Sequence, residues 1–204
     1  MELQNEIARD LLRIKAVQIK TEGYFTWTSG IKSPIYCDNR LTMSYPDIRQ
    51  KLTKAFLQKL AELNIQPDVI AGCATAGIPH AAWLASELNI PMIYVRSKPK
   101  GHGKGNQIEG KVEKGQKIVV IEDLISTGGS SIETANVLRN QGYDVLAVLA
   151  IFSYGLAVSE ERFRKKNLPA TTITSFDNLL DVLVEDQEIT EMDKERLLAW
   201  RDQL

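Results

Sequence analysis

The chain has 204 residues, with 25 basic and 26 acidic side chains and a formal net charge of −1. This balance argues against a dedicated nucleic-acid or membrane binder, although a local basic patch is compatible with it. No apolar stretch reaches the length of a membrane span, and the amino terminus carries no recognisable secretory signal. The two cysteines, Cys37 and Cys73, lie far apart without metal-ligand spacing, which favours reduced thiols in a cytoplasmic protein.

The first part of the chain predicts helices, a bent segment and a strand. Apolar residues recur at helical spacing over residues 3–17, and aromatic residues with Gly and Pro predict a hairpin-like segment over 23–38. Pro46 predicts the start of a helix that runs to about Asn64, since proline is favoured at the first helical position. A short buried strand is predicted at 69–71, followed by a glycine-containing loop and an alanine-rich helix.

Strands and helices continue to alternate along the rest of the chain. The predicted elements there are strands at 91–95, 118–122, 145–152 and 171–174, helices at 130–141 and 156–166, and further helices at the end. Near-continuous apolar strands separated by helices indicate an α/β fold, with a parallel sheet flanked by helices.

A single domain over residues 1–204 is the predicted organisation. Its core occupies about residues 45–175, whereas residues 1–40 and the carboxyl-terminal segment do not join the alternating pattern. We expect these outer segments to form a small hood over the carboxyl ends of the strands. A ligand would then lie between the hood and the sheet.

The run KIVVIEDLISTGGSS, residues 117–131, combines three features of a ligand site. A buried strand ends in two acids, Glu122 and Asp123, and a loop of small residues then opens a helix. Ligands of open α/β sheets bind at the carboxyl ends of the strands, and loop N–H groups at a helix N-terminus form an anion cradle. Because carboxylates do not hold phosphate, the acids indicate a second role, such as binding ribose hydroxyls or a cation. A phosphorylated sugar meets both demands.

Other interpretations of this run fit less well. A Walker A loop requires a Gly-Lys-Ser/Thr sequence, and this loop has no lysine. A dinucleotide fingerprint requires spaced glycines with an acid further along the chain. A plain connection with acidic caps has little need for two acids and a run of small residues. The run resembles instead the phosphoribosyl-pyrophosphate (PRPP) signature of type I phosphoribosyltransferases.

A second notable stretch, residues 96–110, is long, basic and rich in glycine. Loops of more than roughly 12–15 residues in a compact domain are usually functional or disordered. Its positive charge suits an anionic ligand, and its glycines suit closure over that ligand. We therefore interpret residues 96–111 as a mobile lid loop, with a functionless solvated loop as the alternative.

Three motifs narrow the resemblance to the orotate phosphoribosyltransferase family. The lid carries an Arg, a Lys and a His-Gly at the family's spacing, as Arg96, Lys100 and His102-Gly103. An amino-terminal element, Phe-Thr-x-x-Ser-Gly-x-x-Ser-Pro, is present at 25–34, and Gly-Ile-Pro is present at 77–79. The resemblance implies transfer of the phosphoribosyl group of PRPP to orotate, giving orotidine 5′-monophosphate and pyrophosphate in pyrimidine biosynthesis. It also implies Mg²⁺ as cofactor and a homodimer whose lid reaches the neighbouring site, with no nucleic-acid or membrane partner.

The resemblance further implies a role for each site residue. The implied PRPP-binding residues are Arg96, Lys100, His102, Glu122, Asp123, Leu124, Ile125, Ser126, Thr127, Gly128, Gly129 and Ser130. The implied orotate-binding residues are Tyr36 and Cys37, through their backbone, and Ser126, through its hydroxyl. The implied catalytic residues are Asp123, Lys100 and His102. Mg²⁺ is expected on PRPP oxygens and water, with no dedicated protein ligands.

Within these roles, the loop amides of residues 127–130 hold the 5′-phosphate, and the two acids face the ribose hydroxyls. The lid cations meet the pyrophosphate as negative charge builds on it. The backbone amides of residues 74–77 are expected to lie against the same leaving group.

The sequence departs from the family pattern at four positions. These are Thr28 and Ala76, where many members carry Lys, Ser97, where many carry a second basic residue, and Tyr154, where many carry an Arg that pairs with the orotate carboxylate. Lys98 is a candidate replacement for the charge absent at 97. Lys32 and Arg40 are both candidates for the orotate carboxylate, and the sequence does not decide between them.

Two other functions are compatible with the same fold. A phosphoribosyltransferase for another base is disfavoured by the amino-terminal element. A PRPP-sensing regulatory protein is disfavoured because no basic face or added DNA-binding segment is visible in the sequence.

Overall fold

The computed structural model describes residues 2–26, 32–98 and 106–204. The α helices within these ranges are α1 (Glu2–Arg13), α2 (Pro46–Glu62), α3 (Gly77–Leu88), α4 (Gly129–Asn140), α5 (Ala157–Lys165), α6 (Phe176–Glu185) and α7 (Glu191–Arg201). The strands are β1 (Val17–Ile19), β2 (Phe25–Thr26), β3 (Lys32–Ser33), β4 (Ile35–Cys37), β5 (Val69–Cys73), β6 (Met92–Val95), β7 (Ile108–Glu109), β8 (Lys117–Ile125), β9 (Asp144–Ser153) and β10 (Ala170–Ser175). A 3₁₀ helix, Asn39–Ser44, precedes α2.

Six of these strands form the central sheet, in the order β10-β9-β8-β5-β6-β7. Neighbouring strands run parallel except for β7, which pairs antiparallel with β6. The predicted α/β class, with a mostly parallel sheet flanked by helices, is confirmed. The carboxyl ends of β5 and β8 meet at one edge of the sheet, so their loops are neighbours there.

The alternating side chains of β8 enter apolar clusters on opposite faces of the sheet. Val119 and Ile121 pack in the cluster that includes residues of α1, α2, α3 and α6. Ile118 and Val120 pack in the other cluster, with residues of α4 and α5. Burial on both faces explains why this strand reads as a continuous apolar run.

The segments before α2 form two small antiparallel pairs, β1 with β4 and β2 with β3. The hairpin-like segment predicted from the sequence corresponds to β2, β3 and β4, whereas β1 and the 3₁₀ helix have no predicted counterpart. Asp10 on α1 is buried and accepts hydrogen bonds from Lys51 of α2, at 2.7 Å, and from Arg13, at 2.6 Å. This buried carboxylate ties the first helix to the second.

The strand predicted at 118–122 is longer in the structure. β8 continues to Ile125 and stays paired with β9 up to Ile125 opposite Ser153. Glu122 and Asp123 therefore lie within the strand, and the loop begins three residues after Asp123.

None of the helices that the structure describes has the length and apolar character of a membrane span.

Candidate active site

The loop between β8 and α4 has the geometry of an anion cradle. Gly128 adopts a left-handed conformation, with φ at +75°, directly before the first turn of α4. A Cβ at Gly128 would lie 2.8 Å from the ring of Phe163 on α5. Thr127, Gly129 and Ser130 are exposed around the start of α4. Only glycine fits at 128, because both the backbone angle and the Phe163 ring exclude a side chain.

The two acids of β8 have different surroundings, as expected for adjacent residues of a strand. The carboxylate of Glu122 is buried and accepts hydrogen bonds from the hydroxyls of Ser130, at 2.9 Å, and Ser131, at 3.4 Å. Glu122 also accepts one from the N–H of Asp123, at 3.1 Å. These contacts hold the Glu122 carboxylate against the first turn of α4. Glu122 therefore fixes the start of this helix relative to β8.

Asp123 is half-buried and is the more available of the two carboxylates. Burial and the adjacent Glu122 raise the pKa of Asp123 to about 7, far above its ordinary value of 3.8. Its backbone carbonyl accepts a hydrogen bond from the side-chain amide of Asn39, at 2.8 Å. A carboxyl group with this pKa changes its charge near neutral pH.

The other residues predicted in the β8 segment contribute differently. The side chain of Ile125 is buried in the apolar cluster with Phe163, so only its backbone faces a ligand there. Leu124 is half-buried against the opposite cluster, and Ser126 is half-buried at the start of the loop.

The loop that joins β5 to α3 lies beside β8. The N–H of Ala74 donates to the carbonyl of Val95 at 3.0 Å, so the loop starts at the end of both β5 and β6. A Cβ at Gly77 would collide with the carbonyl of Ile121, and the glycine therefore allows the start of α3 to approach β8 closely. This places residues 74–77 at the same edge of the sheet as the acids.

Tyr36 and Cys37, the predicted base-binding residues, lie at the end of β4, and Cys37 is close to Asp123. Burial and the charge of Asp123 raise the pKa of the Cys37 thiol, which stays protonated at neutral pH. Tyr36 is exposed, and its ring centroid lies 5.8 Å from that of Phe25. Tyr154 is buried, and burial raises the pKa of its hydroxyl. The nearby groups Cys37, Asp123 and Tyr36 raise this pKa further. These groups therefore lie close to Asp123.

The predicted lid is anchored by the β6–β7 hairpin. The N–H of Arg96 donates to the carbonyl of Gln107 at 2.8 Å, and the side-chain amide of Gln107 donates back to the carbonyl of Arg96 at 2.9 Å. The guanidinium of Arg96 lies 3.6 Å from the carboxylate of Glu109. Lys100 and His102, two of the predicted catalytic residues, lie outside the described residues, as does Thr28.

The structure thus brings Asp123, the loop 126–130, Tyr36 and Cys37 together at one edge of the sheet. No sequence pattern predicts Asn39 as a site residue, since its contact with Asp123 spans 84 residues. No pattern predicts Phe163 either, since its contact with Gly128 depends on the position of α5.

Comparisons with known proteins match this architecture. A model of the phosphoribosyl transferase domain matches residues 44–178. A protein of Oceanobacillus iheyensis named orotate phosphoribosyltransferase is 56% identical over 202 residues, which cover 99% of this chain and 100% of that protein. The chain belongs to the orotate phosphoribosyltransferase family.

Solved structures of similar proteins support membership of the family at the level of the fold. The orotate phosphoribosyltransferase of Aeropyrum pernix matches with a TM-score of 0.77 at 30% identity, over 87% of this chain and 97% of that one. The UMP synthase of Leishmania donovani matches with a TM-score of 0.80 at 28% identity. That match covers 98% of this chain but 42% of the UMP synthase, which is a longer protein.

Proposed function

We propose that this chain transfers the phosphoribosyl group of PRPP to orotate, releasing pyrophosphate and forming orotidine 5′-monophosphate for pyrimidine biosynthesis. The observation that carries the proposal is full-length similarity to proteins named orotate phosphoribosyltransferase. The acid-bearing strand and the open phosphate loop supply the chemistry that this reaction needs. Neither another base nor a purely regulatory role is favoured by these relatives.

In the proposed reaction, a ring nitrogen of orotate loses its proton to solvent and forms a bond to the anomeric carbon as the bond from that carbon to pyrophosphate breaks. The amides of residues 127–130 hold the 5′-phosphate, and Asp123 faces the ribose hydroxyls. An ionised Asp123 also stabilises positive charge that develops at the anomeric carbon. The negative charge that builds on the leaving pyrophosphate is stabilised by Arg96, Lys100 and His102.

The proposed cofactor, Mg²⁺, would be carried mainly by PRPP oxygens and would neutralise part of the pyrophosphate charge when bound. Within the described part of the chain, no group of three or more His, Cys, Asp or Glu side chains is arranged to hold a metal. Asp123 offers one half-buried carboxylate beside the proposed sugar site. This donor set suits Mg²⁺, which keeps most of its waters and prefers phosphate partners.

The homodimer with a shared lid and the cytoplasmic location stay predictions. A single domain with a hood also stays a prediction. Mixing two inactive variants, one with a defect in the lid and one with a defect at the ribose site, tests the lid arrangement directly.

A substrate panel tests the proposed activity. We expect orotate alone to be consumed appreciably when orotate, uracil, hypoxanthine and adenine are each offered with PRPP and Mg²⁺. Product is measured by chromatography together with released pyrophosphate. Comparable turnover of uracil or hypoxanthine would contradict the substrate assignment and leave the fold unaffected.

A further inference from the structure

Asn39 is a fully buried polar residue in contact with the proposed ribose acid. It is the first residue of the 3₁₀ helix that follows the predicted base-binding residues Tyr36 and Cys37. Its amide nitrogen donates to the backbone carbonyl of Asp123 at 2.8 Å. Its amide oxygen is buried and has no hydrogen-bond partner among the described residues. The amide nitrogen of Asn39 is thus hydrogen-bonded to Asp123, whereas its amide oxygen is unsatisfied.

A buried amide with an unsatisfied oxygen is costly for stability, and such groups are uncommon in folded proteins. An apolar residue of similar size would fill the same space without that cost. Packing alone therefore does not account for an asparagine at position 39. The hydrogen bond to Asp123 accounts for it, because only a donor at this position holds that carbonyl in place.

The contact joins the two halves of the proposed site. Cys37 lies two residues before Asn39 and is close enough for the charge of Asp123 to raise its thiol pKa. Orotate is expected along the backbone of residues 36–37, whereas the ribose is expected at Asp123. The Asn39 bond is a direct tie between the segment that carries the base site and the strand that carries the ribose acid.

We propose that Asn39 is a positioning residue, which fixes Asp123 relative to the backbone of residues 36–37 and so aligns the base with the anomeric carbon. The inference rests on the proposed function. Reaction requires the two reacting atoms to approach in a defined geometry, and a shift of about 1 Å costs on the order of 100-fold in rate. The phosphate loop and the base-binding backbone are both retained when the tie is removed. The loss therefore falls on kcat rather than on KM.

Two substitutions test the tie. Asn39→Ala removes the side-chain amide, and Asn39→Leu keeps nearly the same size but has no hydrogen-bond donor for the Asp123 carbonyl. We expect kcat to fall about 10- to 100-fold in both variants, with KM for PRPP and for orotate changed much less. Steady-state kinetics with both substrates give this separation, and calorimetry with PRPP checks binding directly.

Thr42→Val is the matched control, since Thr42 is a fully buried polar residue of the same 3₁₀ helix. Its hydroxyl donates to the carbonyl of Asn39 at 2.6 Å and is not hydrogen-bonded to β8. We expect this variant to lose thermal stability but to keep kcat within a few fold of the wild type.

Three results would overturn the inference while wild type turns over orotate. These are an unchanged kcat in folded Asn39→Leu, a loss confined to KM, and an equal loss of kcat in Thr42→Val. If Asn39→Ala does not fold, the nearly isosteric Asn39→Leu decides alone. If the wild type itself does not use orotate, the proposed function fails, and that failure is separate from these results.

Discussion

At the scale of single residues, the two glycines of the phosphate loop carry different constraints. A Cβ at Gly128 meets the Phe163 ring and a left-handed backbone, whereas a Cβ at Gly129 has its nearest neighbour, the Thr127 hydroxyl, at 3.9 Å. The sequence motif predicts a single cradle that includes both glycines. The structure separates Gly128, which the fold requires, from Gly129, which is free of packing constraints. Substitutions at the two positions should therefore act on different properties.

We expect Gly128→Ala to lower the melting temperature, since a left-handed alanine alone costs about 1–2 kcal/mol. Gly129→Val should leave the fold intact but raise the PRPP requirement severely, because its side chain blocks approach of the phosphate to the backbone. Thermal melts and the KM for PRPP check both variants. An unchanged KM in Gly129→Val would mean that the phosphate does not approach the backbone at this residue.

The raised pKa of Asp123 gives a second prediction, on activity. Because the proposed role requires the ionised carboxylate, we expect kcat/KM for PRPP to fall as pH drops below about 7. Asp123→Asn should lower kcat about 100- to 1000-fold, as for removal of one electrostatic contact at a transition state. An acid limb that persists unchanged in the residual activity of Asp123→Asn would assign it to another group.

The same pKa links Asp123 to stability. Between its ordinary value of 3.8 and about 7 the folded chain binds this proton more tightly than the unfolded chain, so stability from this group falls as pH rises through that window. Asp123→Asn removes this loss. Its melting temperature relative to wild type should rise between pH 4 and pH 8, by roughly 2–4 °C for each kcal/mol relieved. The exposed Asp144→Asn serves as the control for removal of a carboxylate outside the site.

At the scale of elements, the sequence predicts long segments well and short ones poorly. α2, α4, α5, β9 and β10 lie close to their predicted bounds, because turn residues or changes in apolar content mark where they begin and end. β1 and the 3₁₀ helix span three and six residues, too few for a period to stand out. The end of β8 is not recognisable in the sequence, because the polar residues Glu122 and Asp123 interrupt its apolar run. Pairing with β9 nevertheless extends the strand to Ile125. Contacts such as that of Asn39 depend on tertiary structure and leave no local pattern.

The β6–β7 hairpin gives a prediction at the same scale. Glu109 lies opposite Tyr94 in this hairpin, and its carboxylate lies 3.6 Å from the Arg96 guanidinium. If Arg96 binds pyrophosphate as proposed, this carboxylate competes with that ligand for the guanidinium. Glu109→Gln keeps the shape and removes the competing charge, so KM for PRPP should fall. The pair is partly exposed and worth about 0.2–1 kcal/mol, which corresponds to a decrease of up to roughly fivefold.

The exposed Glu113→Gln is the control for this prediction, because Glu113 pairs with Lys111 beyond the hairpin. The KM for PRPP is measured for both variants at low and high salt, and the difference should shrink at high salt. An increase of KM in Glu109→Gln would instead mean that Glu109 orients Arg96 for its ligand.

At the scale of the whole molecule, the positions of β6 and β7, the two strands that the predicted lid connects, raise the question of which subunit each lid serves. The lid leaves the sheet at β6 and returns at β7, on the edge opposite β10. Asp123 and the phosphate loop belong to β8, nearer the middle of the sheet. The resemblance implies a dimer in which the lid acts on the neighbouring site. Two variants with defects in different parts of the site distinguish a shared site from a self-contained one.

Lys100→Ala removes a lid charge, and Asp123→Asn damages the ribose site, so each homodimer should be nearly inactive. The two variants are then mixed in equal amounts, and their subunits are allowed to exchange. If each lid serves its neighbour, a heterodimer holds one site with both defects and one with neither. Random pairing in a two-fold dimer then restores roughly a quarter of wild-type sites. If each lid covers its own site, every site keeps one defect and mixing recovers nothing. Absence of recovery, with subunit exchange confirmed by mass spectrometry, would exclude a shared active site.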